Sequence, residues 1–278
     1  MAVFLFLTIP VFAQEQEILF TNALQPAIIY NSEVGIQMDM IMDIDSDEAR
    51  EEIKASGMEF PMKLDLEQSF KYIATTEKAD ELGNFGYAVK YQDYDLDVMI
   101  NNMEQEIPNS EIMDFSFYGN VTGGKNSIDS ISGLEVGPEM EANIENMVTK
   151  LFELVSFPDT AIRVGESFKM SMPFDMPMPG FSAYKMFIDI EYTLDKISEG
   201  NAYFSLVQEL EMDMGSDIMD FNGEGHGTGQ IIYDIENKNL TDYESVLNMT
   251  MMLKMMDMDM NIDATVNTKH VTKLEKIL

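Results

Sequence analysis

The sequence predicts a mainly β protein: one large curled antiparallel sheet or open barrel of roughly ten to fourteen strands, with one principal amphipathic helix packed against it. Three observations lead there. Apolar residues recur at every second position over stretches longer than an ordinary strand, which is the mark of a strand with one buried and one wet face. Turn residues separate these stretches. A single segment with helical spacing divides the chain into two strand-rich halves.

Taken in order, Val34, Ile36, Met38, Met40, Met42 and Ile44 alternate with Gln37, Asp39, Asp43 and Asp45. The pattern returns at Met58, Phe60, Met62, Leu64 and Leu66, where Pro61 predicts an edge strand or a bulge because it cannot donate to a ladder. Tyr87, Val89 and Tyr91 alternate in one phase, and Tyr94, Leu96, Val98 and Ile100 in the other, as a bulge would produce. Met140, Ile144, Met147, Val148, Leu151, Phe152 and Val155 recur at spacings of three and four, so 138–156 reads as the helix. Pro138 suits its first turn, Glu139 and Glu141 complement its dipole, and Pro158 follows its end. Tyr184 to Leu194 and Ala202 to Met214 make a long hairpin around Ser198-Glu199-Gly200-Asn201. Leu247 to Met255 alternate, and the phase then flips to Met256, Met258, Met260, Ile262, Ala264 and Val266.

Residues 66–100 and 184–214 share a strand–turn–strand plan, each followed by a Gly-rich segment, Phe117–Gly124 and Gly223–Gly229. The chain therefore reads as two related halves, a degenerate internal repeat of about 30–135 and 160–278 on either side of the helix. Residues 2–13 are an apolar run ending Val11-Phe12-Ala13 before a polar stretch, which reads as a secretory signal peptide over 1–13. Residues 14–278 then form a single β-rich domain, soluble and exported to the periplasm or beyond. No other apolar run approaches the ~18–20 residues of a membrane span.

Charge and composition remove whole classes of function. With 17 Lys+Arg against 50 Asp+Glu, a net charge of −33 opposes binding to nucleic acid and to anionic lipid headgroups. The absence of cysteine excludes disulfides, thiol catalysis, Cys-ligated zinc and iron–sulfur clusters. His226 and His270 are the only histidines, with no HExxH helix, GxSxG elbow or P-loop, so the chain reads as non-catalytic and without a cofactor. Asp43, Asp45, Asp47 and Glu48 open like a calcium loop, but Glu48 stands where glycine is needed and Lys54 where glutamate is. Gly223, Gly225, Gly227 and Gly229 repeat with period two, which places them on one face of a strand and not in a phosphate loop.

Two patterns remain as binding candidates. The apolar face of the helix, Met140, Ile144, Met147 and Leu151, opposite a sheet face of Met, Ile and Phe, could line a cavity for an apolar ligand, although a filled core has the same pattern. Among 26 methionines, Met170, Met172, Met176 and Met178 form the cluster best placed for a soft metal such as Cu(I), with core packing as the default for that residue type.

Val164-Gly165-Glu166-Ser167-Phe168, Tyr192-Thr193-Leu194 with Gly200-Asn201-Ala202, and Gly227-Thr228-Gly229 with Tyr233-Asp234 carry a resemblance. Through them the chain resembles an uncharacterised family of exported β-rich proteins from Gram-negative bacteria. The resemblance implies location and architecture, and no site. The function expected is non-catalytic binding of a lipid-like molecule between helix and sheet. The alternatives are an envelope structural or interaction protein with a filled core, and copper binding by the methionine cluster.

Overall fold

The computed structural model describes residues 17–55, 59–105, 115–133, 155–176, 184–216, 219–255 and 258–277. Period-two patterning dictates what is seen: along most of the long strands the apolar phase is the more buried one and the polar phase is wet. On β2 (Ile28–Ile44), Met38, Met40, Met42 and Ile44 are buried while Gln37, Asp39 and Ile41 face out. The N-terminal half continues with β3 (Met62–Thr76), β4 (Phe85–Ile100), the two-residue β5 (Met103–Glu104), β6 (Ser116–Thr122) and β7 (Lys125–Ser132). The C-terminal half supplies β9 (Ser167–Met176), β10 (Tyr184–Ser198), β11 (Asn201–Ser216), β12 (Met219–Asp234), β13 (Asn239–Met255) and β14 (Met258–Lys276).

These form one antiparallel sheet of 12 strands, in the order β7-β6-β4-β3-β2-β14-β13-β12-β11-β10-β9, with β5 pairing on β4. Each half is a meander of consecutive neighbours. The halves are joined where β2 pairs β14 along its whole length, from Ile28↔Lys276 to Ile44↔Met260. The sheet does not close, because β7 and β9 are its edges. Local chemistry sets the turns. Glu199 and Gly200 both adopt positive φ (54° and 81°) between Ser198 and Asn201, as do Gly123 and Gly124 (59° and 78°) between Thr122 and Lys125. Two consecutive left-handed residues match the natural twist of a two-residue hairpin.

The glycine row lies on the inner face of β12. Gly223, Gly225, Gly227 and Gly229 stand opposite Met212, Leu210, Gln208 and Leu206 on β11, and opposite Met251, Met249, Leu247 and Ser245 on β13. A Cβ at Gly229 would lie 2.2 Å from the Glu244 carbonyl oxygen, and one at Gly227 would lie 2.8 Å from that of Val246. Only glycine permits the backbone of β13 to approach β12 this closely.

One sequence expectation is overturned, and two segments resolve into features that the sequence pattern did not name. Pro61 follows a cis peptide bond just before β3 starts, and β3 is an interior strand flanked by β2 and β4, so Pro61 costs no ladder bond. The phase flip after Met255 is a hairpin between β13 and β14, where Met255 pairs Met258. A nine-residue helix, α1 (Asp47–Ala55), occupies the acidic stretch that failed as a calcium loop. Ser46 caps it, accepting from the Ala49 amide at 3.2 Å, with Asp47 and Glu48 in its first turn and Lys54 in its last. The phase change on β4 does coincide with a register shift against β3 between Ser69 and Lys71, with Asp93 at φ 52°. The expected helix 138–156 and signal peptide 1–13 lie outside the described residues, save Val155 and Ser156. No helix among the described residues is long and apolar enough to cross a membrane.

Candidate functional site

The inner face holds two apolar clusters. The larger one gathers Met38, Met40 and Met42 with Ile190, Leu194, Leu206 and Leu253 along the C-terminal strands. Its end is sealed by the short pair of β1 (Glu17–Ile18) and β8 (Ile162–Arg163), where the Arg163 guanidinium donates to the Glu17 carboxylate. That pairing brings Phe20 against Phe204, Tyr233 and Phe157, at ring separations of 5.1, 5.2 and 5.4 Å. The smaller cluster belongs to the N-terminal half and is an aromatic stack: Phe70 and Tyr72 each lie 5.7 Å from Tyr91, which lies 4.8 Å from Phe115. Burial pushes the Tyr91 and Tyr192 phenols well above their ordinary range, and neither hydroxyl has a hydrogen-bond partner among the described residues.

Between the clusters the inner face turns polar. Tyr72 on β3, Ser32 on β2 and Thr272 on β14 form one cross-strand row, with His270 beside it. Tyr72 Oη and Thr272 Oγ1 each lie 3.1 Å from His270 Nε2, and Thr272 Oγ1 lies 2.9 Å from Ser32 Oγ. A cavity of about 40 Å³ opens here, lined also by Asn22, Asn126 and Asn239. Its lining and size suit a few ordered waters. Burial alone depresses the His270 imidazole to about 4, so it is neutral at ordinary pH. His226 lies on the wet face of β12, two strands away and on the opposite side of the sheet, so the two histidines do not form a pair.

The inner face is unevenly covered. Leu96, Val98 and Ile100 occupy its phase on β4 yet remain half-exposed and belong to neither cluster. Leu64 and Leu66 on β3 flank them and touch the larger cluster. At the far margin, Phe168, Met170 and Met172 on β9 are also only partly buried against that cluster. Met170 and Met172 pair with Ile190 and Ile188, so they hold the apolar phase of an edge strand. Met176 ends β9, and Met178, Met140, Ile144, Met147 and Leu151 lie outside the described residues. Among the described residues, no group of three or more His, Asp or Glu side chains is placed to hold a metal ion. Sequence reasoning did not single out Leu96, Val98 and Ile100 as uncovered, although their alternation was visible.

No protein-family model matches the chain, and no curated protein matches it by sequence. Among solved structures, the chain is similar to a lipovitellin described for its lipid–protein interactions, with a TM-score of 0.49 at 8% identity over 92% of this chain. The chain spans only 26% of that lipovitellin chain. It is also similar to OccK11 (OpdR) of Pseudomonas aeruginosa, with a TM-score of 0.25 at 8% identity, over 92% of this chain and 100% of the other. Likenesses at this level carry nothing about ligand or activity.

Proposed function

We propose that this is an exported, non-catalytic binding protein that holds an apolar, lipid-like ligand against the inner face of its sheet. The observation that carries the reading is the half-exposed strip Leu96, Val98 and Ile100, continuous through Leu64 and Leu66 with the larger apolar cluster. Apolar side chains left to water on a concave face are what a ligand with a hydrocarbon body would cover. The sequence adds Met140, Ile144, Met147 and Leu151, an apolar set at helical spacing, as further candidates for contact with such a ligand. Methionine and leucine there adapt to chains of varied shape. Export follows from the apolar run 2–13 with Ala13 at its end.

The test is native mass spectrometry of the protein purified without detergent, paired with uptake of a fluorescent fatty acid. A bound mass in the lipid range is expected. Val98→Asp is expected to lower uptake by about tenfold, because it places a charge where the hydrocarbon must lie. Since Val98 is half-exposed, the variant should remain folded. A folded Val98→Asp protein with unchanged uptake would overturn the reading.

A further inference from the structure

The outer face carries a groove of about 760 Å³ that crosses β12, β13, β14, β2 and β3 at mid-length. Two rungs of the ladder form its floor. One runs Thr228, Val246, Asn267, Gln37, Glu67, and the next runs Gln230, Glu244, Lys269, Gly35, Ser69. The volume falls in the range of small-ligand sites, about 300–1,000 Å³.

Gly35 is the telling residue. A glycine inside a strand weakens it, and there is ordinarily a reason: a bulge, a tight bend, a left-handed φ, or close approach of something else. The register runs unbroken through Gly35 to Lys269 on one side and Ser69 on the other, so there is no bulge. Its φ lies outside the left-handed region, and a Cβ built on it meets nothing within 4 Å. The glycines of β12 are the opposite case, each crowded by atoms of β11 or β13. Neither a bulge, a left-handed φ nor a close contact requires a missing side chain at Gly35. What its absence does is keep the groove floor clear.

The lining says what would lie there. Gln37, Gln230 and Asn267 carboxamides, with Ser69 and Thr228 hydroxyls, both donate and accept hydrogen bonds. The Lys269 ammonium is taken by the Glu244 carboxylate, which raises the lysine's proton affinity and lowers the glutamate's. The net charge of −33 repels anions, Glu67 is the one further charged side chain in the two rungs and its carboxylate accepts hydrogen bonds from hydroxyls, and Val246 is the single large apolar side chain there. The matching ligand is uncharged and rich in hydroxyls, which likewise donate and accept. From the clear floor at Gly35 and this lining, we propose that the outer groove binds a neutral oligosaccharide. The site is separate from the apolar inner face and stands or falls without it.

The experiment titrates the purified protein with neutral tetrasaccharides of the gluco, galacto and manno series, read by calorimetry and by saturation-transfer NMR. At least one series is expected to bind. Gly35→Leu is expected to weaken that binding at least about tenfold while leaving the melting temperature unchanged or raised, since the new side chain enters open space and suits a strand. Asn267→Ala should weaken it without changing the fold, and Val98→Asp should leave it untouched. Absence of binding to every series would overturn the proposal, as would unchanged binding by Gly35→Leu. Unfolding of Gly35→Leu would overturn it too, because the open space on which it rests would then be filled in solution.

Discussion

Gly229→Ala is expected to destabilise the protein by about 3 kcal/mol or more, an overpacking cost at the upper end of the usual range. The added methyl would lie 2.2 Å from the Glu244 carbonyl oxygen and 2.9 Å from Ser245 Cα, both backbone atoms of β13. No rotamer relieves a clash with backbone; β12 and β13 must separate, and their ladder bonds loosen with them. Gly225→Ala should cost much less, because the nearest atom, at 3.0 Å, is Cγ of the flexible Met249 side chain. Gly35→Ala should cost nothing. Urea unfolding midpoints for the three variants test this order directly. A Gly229→Ala protein as stable as the parent would mean that the β13 backbone does not approach Gly229 this closely.

The same row shows how far the sequence reaches. Period two placed these glycines on one strand face, and the structure puts them there, but the partner that crowds them sits on other strands. Alternation likewise located the buried residues of β2, β13 and β14, since Met38 to Ile44 and Ile262 to Val266 keep one phase throughout. It could not say that β2 and β14 pair, because periodicity records which face is wet and not which strand lies alongside. The strip Leu96 to Ile100 has the same limit: whether an inner position is covered depends on remote chain. His270 was within reach, as it continues the inward phase of Ile262, Ala264 and Val266. Helix α1 escaped because it buries no residue, leaving no apolar stripe to read; Ser46 followed by Asp47-Glu48 was its one visible mark.

His270 gives the protein a pH dependence whose sign is opposite to that of its surface. Burial holds the imidazole at about 4 in the folded chain, against an ordinary 6.5 when unfolded. Between those values the unfolded state takes up a proton that the folded state refuses, so stability is full above about pH 6.5, falls as pH drops towards 4, and is level below. The difference is worth about 3 kcal/mol. The groups around the ring offer no compensation: Tyr72, Ser32, Thr272 and the cavity's asparagines are neutral, and Tyr243 lies opposite on β13. The surface runs the other way, since protonating carboxylates on a chain of net charge −33 relieves repulsion and stabilises the fold as pH falls. The two trends separate in a comparison with His270→Gln, measured by urea unfolding from pH 7.5 to 5. The parent should lose stability relative to the variant as pH falls, by over 1 kcal/mol at about pH 5.5. A gap that stays constant across that range would show that the imidazole is solvated, and that the seam between the two halves is open to water.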